Sequence, residues 1–387
     1  MLDPKHPYNE LPRLPPNAEL ETRAVLKKCV GARTALAELR QAGHLIPDQS
    51  VLINSIPLLE AKDSSEIENI VTTNDALFRE ASLGDSDAAP STKEAAKEAA
   101  RYRAALHHGF EALQSRPLST RLATEICRLV TAKDYDVRRG LPRTTLQDRR
   151  TGEVYYTPPE GEALLRDLLA NWEKFANEKT EIDPLVRMAV LHYQFEAIHP
   201  FRDGNGRTGR ILSILGLIQD RLLDLPTLYL SRYILENRVA YYRLLGRVTT
   251  HAEWEPWVLY MLEATETTSL WTTQKIKAVK TLMDETSSYV WAAAPKLPHA
   301  VVVLIFKQPY VRIGNVVESK IVGREAASKY LRDLVRLGVL EEETRGRDKI
   351  FLHRKYLDVL FGDEHTFAPY PQAGKAAEAQ HKRSKPR

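Results

Sequence analysis

Residues 199–210 read His199-Pro-Phe-Arg-Asp203-Gly-Asn-Gly-Arg207-Thr-Gly-Arg210, a stretch dense in groups that handle phosphate chemistry. Gly204, Asn205 and Gly206 stand just ahead of the apolar run 211–218, Ile-Leu-Ser-Ile-Leu-Gly-Leu-Ile, which predicts a helix buried nearly all round. Unpaired backbone N–H groups and the positive dipole end at such a helix start form an anion site. Glycines let the backbone approach a phosphate closely. Arg207 and Arg210 lie three apart, on one helix face, where both can reach a polyphosphate. Asp203 offers a hard oxygen ligand beside that anion, suited to a magnesium ion. His199 stands at the loop entrance, where it can take a proton from an incoming nucleophile.

The flanking elements place this loop. Leu185, Met188, Ala189, His192 and Phe195 recur at helical spacing over 184–198. Pro200 disfavours the helical conformation for His199, so the helix should end there. A dinucleotide turn is a poor reading of Gly204-x-Gly206-x-x-Gly209, because the preceding element is a helix and not a strand. No Gly-Lys-Ser/Thr ending follows, which excludes a P-loop. His192 falls on the apolar face and reads as a core histidine.

The stretch resembles the signature of the Fic family, His-x-Phe-x-Asp/Glu-Gly-Asn-Gly/Lys-Arg-x-x-Arg, with every fixed position matched from His199 to Arg210. The resemblance continues through Arg143-Thr-Thr145, Tyr156-Thr-Pro-Pro159, Leu228-Tyr-Leu-Ser231 and Tyr241-Tyr242, over roughly residues 50–270. It implies a mainly α fold, a helical bundle with a β-hairpin flap, and transfer of AMP from ATP to a protein hydroxyl. On that resemblance His199 is the general base toward a Tyr, Thr or Ser hydroxyl, and Asp203 binds Mg2+. Gly204, Asn205 and Gly206 hold the phosphates, Arg207 and Arg210 contact them, and Tyr241 lies near the adenine. Tyr241 and Tyr242 equally read as core aromatics. The flap around 144–147 would align the target by strand addition. Asp148, Arg149 and Arg150 depart from the apolar residues usual there.

Upstream, Ser64-x-x-x-Glu68-Asn69 resembles the family's inhibitory motif, in which the Glu pairs with the last Arg of the signature, here Arg210. Read from the residues alone, Ser64 is an N-cap of a short helix containing Glu68.

Helices are expected over 17–42, 93–113, 120–133, 160–178, 184–198, 207–223, 236–247 and 252–288, with a hairpin over 146–156 turning near 150–152. Residues 1–16 carry five prolines and read as an extended arm with no secretory signal, and 82–92 as a linker. The expected division is an N-terminal helical region over 17–113, a catalytic core over 114–290, a small α+β winged-helix module over 297–362 and a solvated tail over 363–387. In the module, Arg324–Leu337 is an amphipathic helix with Gly338 at its end, followed by a hairpin. Arg324, Lys329, Arg332, Arg336, Arg345, Arg347 and Lys349 offer a basic face, diluted by Glu325, Asp333, Glu341, Glu342 and Glu343. That balance favours a docking module over a DNA-binding one.

Among 387 residues, 55 basic and 51 acidic side chains give a net charge of +4, too balanced to argue nucleic-acid binding. With two cysteines, Cys29 and Cys127, a disulfide scaffold is excluded and a cytoplasmic setting expected. No run long enough for a membrane span occurs, so no membrane partner is expected. The expected function is a protein adenylyltransferase using Mg·ATP, autoinhibited by Glu68, modifying a target protein and itself. Removal of AMP, use of UTP, GTP or CDP-choline, and a DNA-binding regulator that senses nucleotide are the alternatives; a homodimer is compatible with each.

Overall fold

The computed structural model describes residues 3–84, 90–140, 144–147, 152–345 and 348–371. Helix α1 (Arg23–Gly43) starts after Thr22, whose Oγ1 accepts from Val25 N at 3.3 Å; this cap sets the start later than residue 17. Asp48 accepts from Ser50 N at 3.2 Å ahead of α2 (Ser50–Ile67). That helix runs straight through the polar residues 62–65, where the sequence suggested a break. Thr73 caps α3 (Asn74–Leu83), an element the sequence reading did not assign, and Gly84 at φ 65° ends it. Within the expected linker, residues 85–89 lie outside the described residues, and α4 (Pro90–Ala112) begins at its far end.

After α5 (Thr120–Thr131), strands β1 (Leu146–Gln147) and β2 (Val154–Tyr156) pair antiparallel, Leu146 opposite Tyr156. Arg143 and the flap residues 148–151 lie outside the described residues. Helices α6 (Glu162–Asn177), α7 (Pro184–Ile198) and α8 (Asn205–Gln219) follow. The expected helix over 236–247 is α10 (Arg238–His251); ahead of it stands α9 (Leu230–Glu236), not foreseen from the sequence, and Asn237 at φ −117°, ψ 30° separates the two. Helix α11 (Trp254–Ala293) has 40 residues.

The apolar run 300–306 lies in α12 (His299–Lys307). Then come β3 (Tyr310–Val311), α13 (Ile313–Glu318), α14 (Arg324–Arg336), β4 (Glu341–Arg345), β5 (Asp348–Leu352) and α15 (Arg354–Phe361). The three strands form one antiparallel sheet in the order β3-β5-β4. Arg347 and the tail beyond residue 371 lie outside the described residues. No helix among the described residues is long and apolar enough to cross a membrane.

The mainly helical chain divides into two compact units. One comprises Met1–Gln41, Ile56–Thr72 and Glu94–Thr272; the other Ala42–Ser55, Thr73–Lys93 and Thr273–Arg387. In the first, α8 is buried on nearly every side and packs against α7, α5 and α9, as its apolar sequence requires. In the second, α3 is knitted to the sheet. Tyr310 donates to Asp75 Oδ1 at 2.5 Å, Arg79 sits over the Tyr310 ring at 4.6 Å, and Arg79 pairs with Glu343 at 3.0 Å. Phe78 meets Phe361 edge-on at 5.1 Å. A buried hydroxyl bonded to a carboxylate contributes about 1–2 kcal/mol. Tyr310→Phe is therefore expected to lower the stability of this unit by about that amount in urea unfolding; an unchanged midpoint would show that the hydroxyl bond adds nothing.

Candidate active site

The loop between α7 and α8 is built by backbone constraints. Pro200 bars His199 from right-handed helix, and His199 takes φ 49°, ψ 58° with its N–H still bonded to Phe195 O at 3.0 Å. The carbonyls exposed at this helix end are taken by Arg138, whose Nε donates to His199 O at 2.8 Å. Its Nη2 donates to Pro159 O at 3.0 Å and Ile198 O at 3.2 Å. The sequence reading missed Arg138, because its partners are carbonyls distant in sequence and no local spacing announces them.

Asn205 closes the loop with its side chain, accepting from Phe201 N and donating to Phe201 O, both at 2.9 Å. Phe201 is the buried anchor, packed on Phe195 with rings 6.2 Å apart. Gly204 sits at φ 80°, and a Cβ there would lie 2.7 Å from Thr131 Cγ2, so glycine is required twice over. Helix α8 starts at Asn205, earlier than expected, and no side chain caps its first turn. Its leading N–H groups are left for an anion. Asp203 accepts from Gly204 N at 2.7 Å, and its side chain stays 51% exposed.

Both arginines are buried and paired. Arg210, 1% exposed, donates from Nε to Ser64 Oγ and from Nη2 to Ser64 O, each at 2.8 Å, and from Nη2 to Glu68 Oε1 at 3.0 Å. Arg207, 2% exposed, is bonded to Glu98 of α4 and lies 3.5 Å from Asp203 Oδ1. A Cβ at Gly206 would overlap Glu68 Oε1, so that glycine makes room for the Glu68 carboxylate. Ser64 is therefore not an N-cap. It lies in the last turn of α2, which is continuous from Ser50, and Glu68 follows the helix end. Asn69 turns left-handed at φ 65°, and its Oδ1 accepts from Arg238 at 3.2 Å.

The charge states follow from these contacts. Burial works to raise the Glu68 carboxyl, but the charge and hydrogen bond of Arg210 outweigh it and hold Glu68 below the usual range. Burial, aided by the Arg138 charge, pushes the His199 imidazole down to about 4. His199 is thus neutral, able to accept a proton, across the neutral range. Burial lifts the Glu196 carboxyl to about 7.

His192 is the expected core histidine, with Nδ1 at 2.9 Å from Ser213 Oγ and Nε2 at 2.8 Å from the Tyr241 hydroxyl. Tyr241 is 2% exposed and packed among Tyr242, Trp257 and Tyr260. Its neighbour Tyr242, 36% exposed, instead lines a cleft of about 880 Å³ with Glu68, Asn69, Tyr155 and Arg238. A smaller cavity of about 80 Å³ shares Tyr155 and Tyr242 with that cleft and adds Glu196 and Thr249. Cys29 and Cys127 are buried free thiols, both raised to about 12 by burial.

Residues 117–217 match the profile described as Fic/DOC family, and residues 26–111 that of the Fic/DOC family N-terminal. Residues 282–356 match "Protein adenylyltransferase SoFic-like, C-terminal domain". Protein adenylyltransferase fic-1 of Caenorhabditis elegans is 36% identical over 122 residues, covering 30% of this chain and 22% of the relative. The probable protein adenylyltransferase aq_aa38 of Aquifex aeolicus is 43% identical over 72 residues, covering 19% and 22%. The chain thus spans about a fifth of the length of these relatives. A Fic family protein from Desulfovibrio desulfuricans G20 shares the fold, with a TM-score of 0.51 and 20% identity over 86% of this chain and 96% of that one.

His192 supplies a pH test. Burial pushes it down to about 3, while an unfolded histidine titrates near 6.5. Below pH ~6.5 the unfolded chain binds the extra proton, so stability is full above that pH and falls as pH drops toward 3. The expected slope from His192 is about 1.4 kcal/mol per pH unit within that window. Urea unfolding at several pH values checks it; a His192→Gln variant with an equally steep decline would exclude this source.

Proposed function

We propose that this chain, which belongs to the Fic/DOC family, transfers AMP from ATP to a Tyr, Thr or Ser hydroxyl of a protein and is held back by Glu68. The observation that carries this reading is the Arg210–Glu68 pair at 3.0 Å, seated over Gly206 at the start of α8. There the carboxylate stands where a nucleotide's terminal phosphate would sit.

The polyphosphate would lie along the open N–H groups of α8, with Arg207 and Arg210 as its side-chain donors. Tyr155 and Tyr242, which line the cleft, are better placed for the base than Tyr241. Asp203 fits a magnesium ion, since an exposed lone carboxylate beside a phosphate site lets phosphates and water complete the shell. Such an ion would supply charge neutralisation on the phosphates. No cluster of three or more His, Cys, Asp or Glu occurs among the described residues, so Asp203 would be its protein ligand.

Neutral His199 would take the hydroxyl proton as the oxygen bonds to the α-phosphorus; the bond to the bridging oxygen breaks and pyrophosphate leaves. Positioning and charge neutralisation would supply most of the rate. In the resting site two guanidiniums face three carboxylates, Glu68, Glu98 and Asp203. A polyanion is therefore favoured only when a cation joins it and Glu68 withdraws. The flap strands β1 and β2 would align the target by strand addition.

For residues 297–362 we favour a winged-helix docking module over a DNA reader. Two of the basic groups on its helix and hairpin are already paired, Arg336 with Asp333 and Lys349 with Glu342 at 2.5 Å, and Arg354 of α15 pairs with Glu341 at 3.3 Å.

Intact-mass measurement with Mg·ATP tests the reading. Glu68→Gly is expected to raise self-modification by about tenfold or more, the equivalent of ~1.4 kcal/mol released at Arg210. Arg210→Ala should not mimic it, because the phosphate contact is lost as well. His199→Ala should lower the rate by ~10²–10⁴-fold while retaining ATP binding. With His199 near 4, the rate should not fall as pH drops from 7 to about 5.5. Equal rates for wild type and Glu68→Gly would sink the inhibitory reading.

A further inference from the structure

Helix α4 contributes no residue to the 199–210 motif, yet one of its faces holds Arg207 and braces α2, the helix that pairs with Arg210. Glu98 bonds directly to Arg207. One turn on, Tyr102 donates to Glu60 at 2.9 Å, and Glu60 lies on α2 one turn before Ser64, the partner of Arg210. Arg207 also lies 3.5 Å from Asp203 Oδ1. The proposed function gives Asp203 to a divalent cation, which sets up a conflict. A guanidinium that turns fully onto Asp203 neutralises the oxygen the cation needs. Glu98 opposes that turn. It stands in the interior of a 23-residue helix, 21% exposed, so its backbone is fixed by that helix. Glu68 differs in kind, since it follows a helix end beside left-handed Asn69.

We propose that Glu98 is a positioning residue for the transfer reaction: by holding Arg207 it keeps the guanidinium off Asp203, leaving Asp203 for the cation and Arg207 for phosphate. The proposal rests on the adenylyltransferase reading. Its test separates binding from turnover by using Glu68→Gly/His199→Ala protein and calorimetric titration of ATP at graded magnesium. Adding Glu98→Gln, which keeps size and helix propensity, is expected to raise the magnesium concentration for half-maximal ATP binding about tenfold. Glu98→Asp should recover part of the loss. With Arg207→Ala also present, Glu98→Gln should shift the requirement less than about twofold, because the effect passes through Arg207. Loss of this partner of buried Arg207 lowers the thermal midpoint, so the titrations run well below it. No rise in the magnesium requirement, or an equal rise with and without Arg207, overturns the proposal. Tighter ATP binding by Glu98→Gln also overturns it, making Glu98 a competitor of phosphate. Failure of Glu68→Gly to transfer AMP while ATP still binds would instead sink the reading of function.

Discussion

A guanidinium at 1% exposure must be given acceptors, and Arg210 takes its acceptors from residues 64 and 68, at the end of α2. The cost of burying that charge unpaired would be several kcal/mol. Helix α2 is in turn fastened behind the contact. Glu60 accepts from Ser231 N at 2.8 Å and from Tyr102, and Asp63 accepts from Tyr229 at 2.5 Å. The arginine thus ties a helix from the first part of the chain to the start of α8. Any ligand that takes Arg210 must offer a better anion than Glu68 does.

The loop from His199 to Asn205 is held by groups other than those that would do chemistry. Arg138 occupies the carbonyls at the α7 end, Asn205 bonds both backbone groups of Phe201, and Phe201 plugs the core. The loop's main supports are thus made by Arg138, Asn205 and Phe201, while Asp203 keeps its side chain half exposed. A site fixed by its supporting contacts keeps its reacting groups preorganised, which is where positional catalysis originates. Glu98 extends the same division of labour to Arg207.

Much of this was legible in the sequence because it is local. Pro200 ends a helix, Gly204 permits a left-handed turn, and an apolar run such as 211–218 must be buried. The resemblance to a known signature added roles that spacing alone leaves open. Read from the residues alone, legibility failed where a partner lies far along the chain. Ser64 looked like a cap because caps are recognised from neighbours; it is in fact a mid-chain acceptor for an arginine 146 residues away. Tyr241 and Tyr242 are adjacent and chemically identical, and which one faces the cleft depends on the packing of Trp257 and Tyr260.

The sequence by itself determined the helical class and the α7–loop–α8 unit, because these rest on backbone preference and apolar periodicity over fewer than about 20 residues. The family resemblance pointed Glu68 to Arg210, but no residue spacing did, and only the tertiary structure set Glu98 on Arg207. Glu68 reaches Arg210 and Glu98 reaches Arg207 through ion pairs spanning 142 and 109 residues. Such pairs carry no spacing signal. Coulomb attraction acts through space, and the fold alone sets which charges it brings within reach.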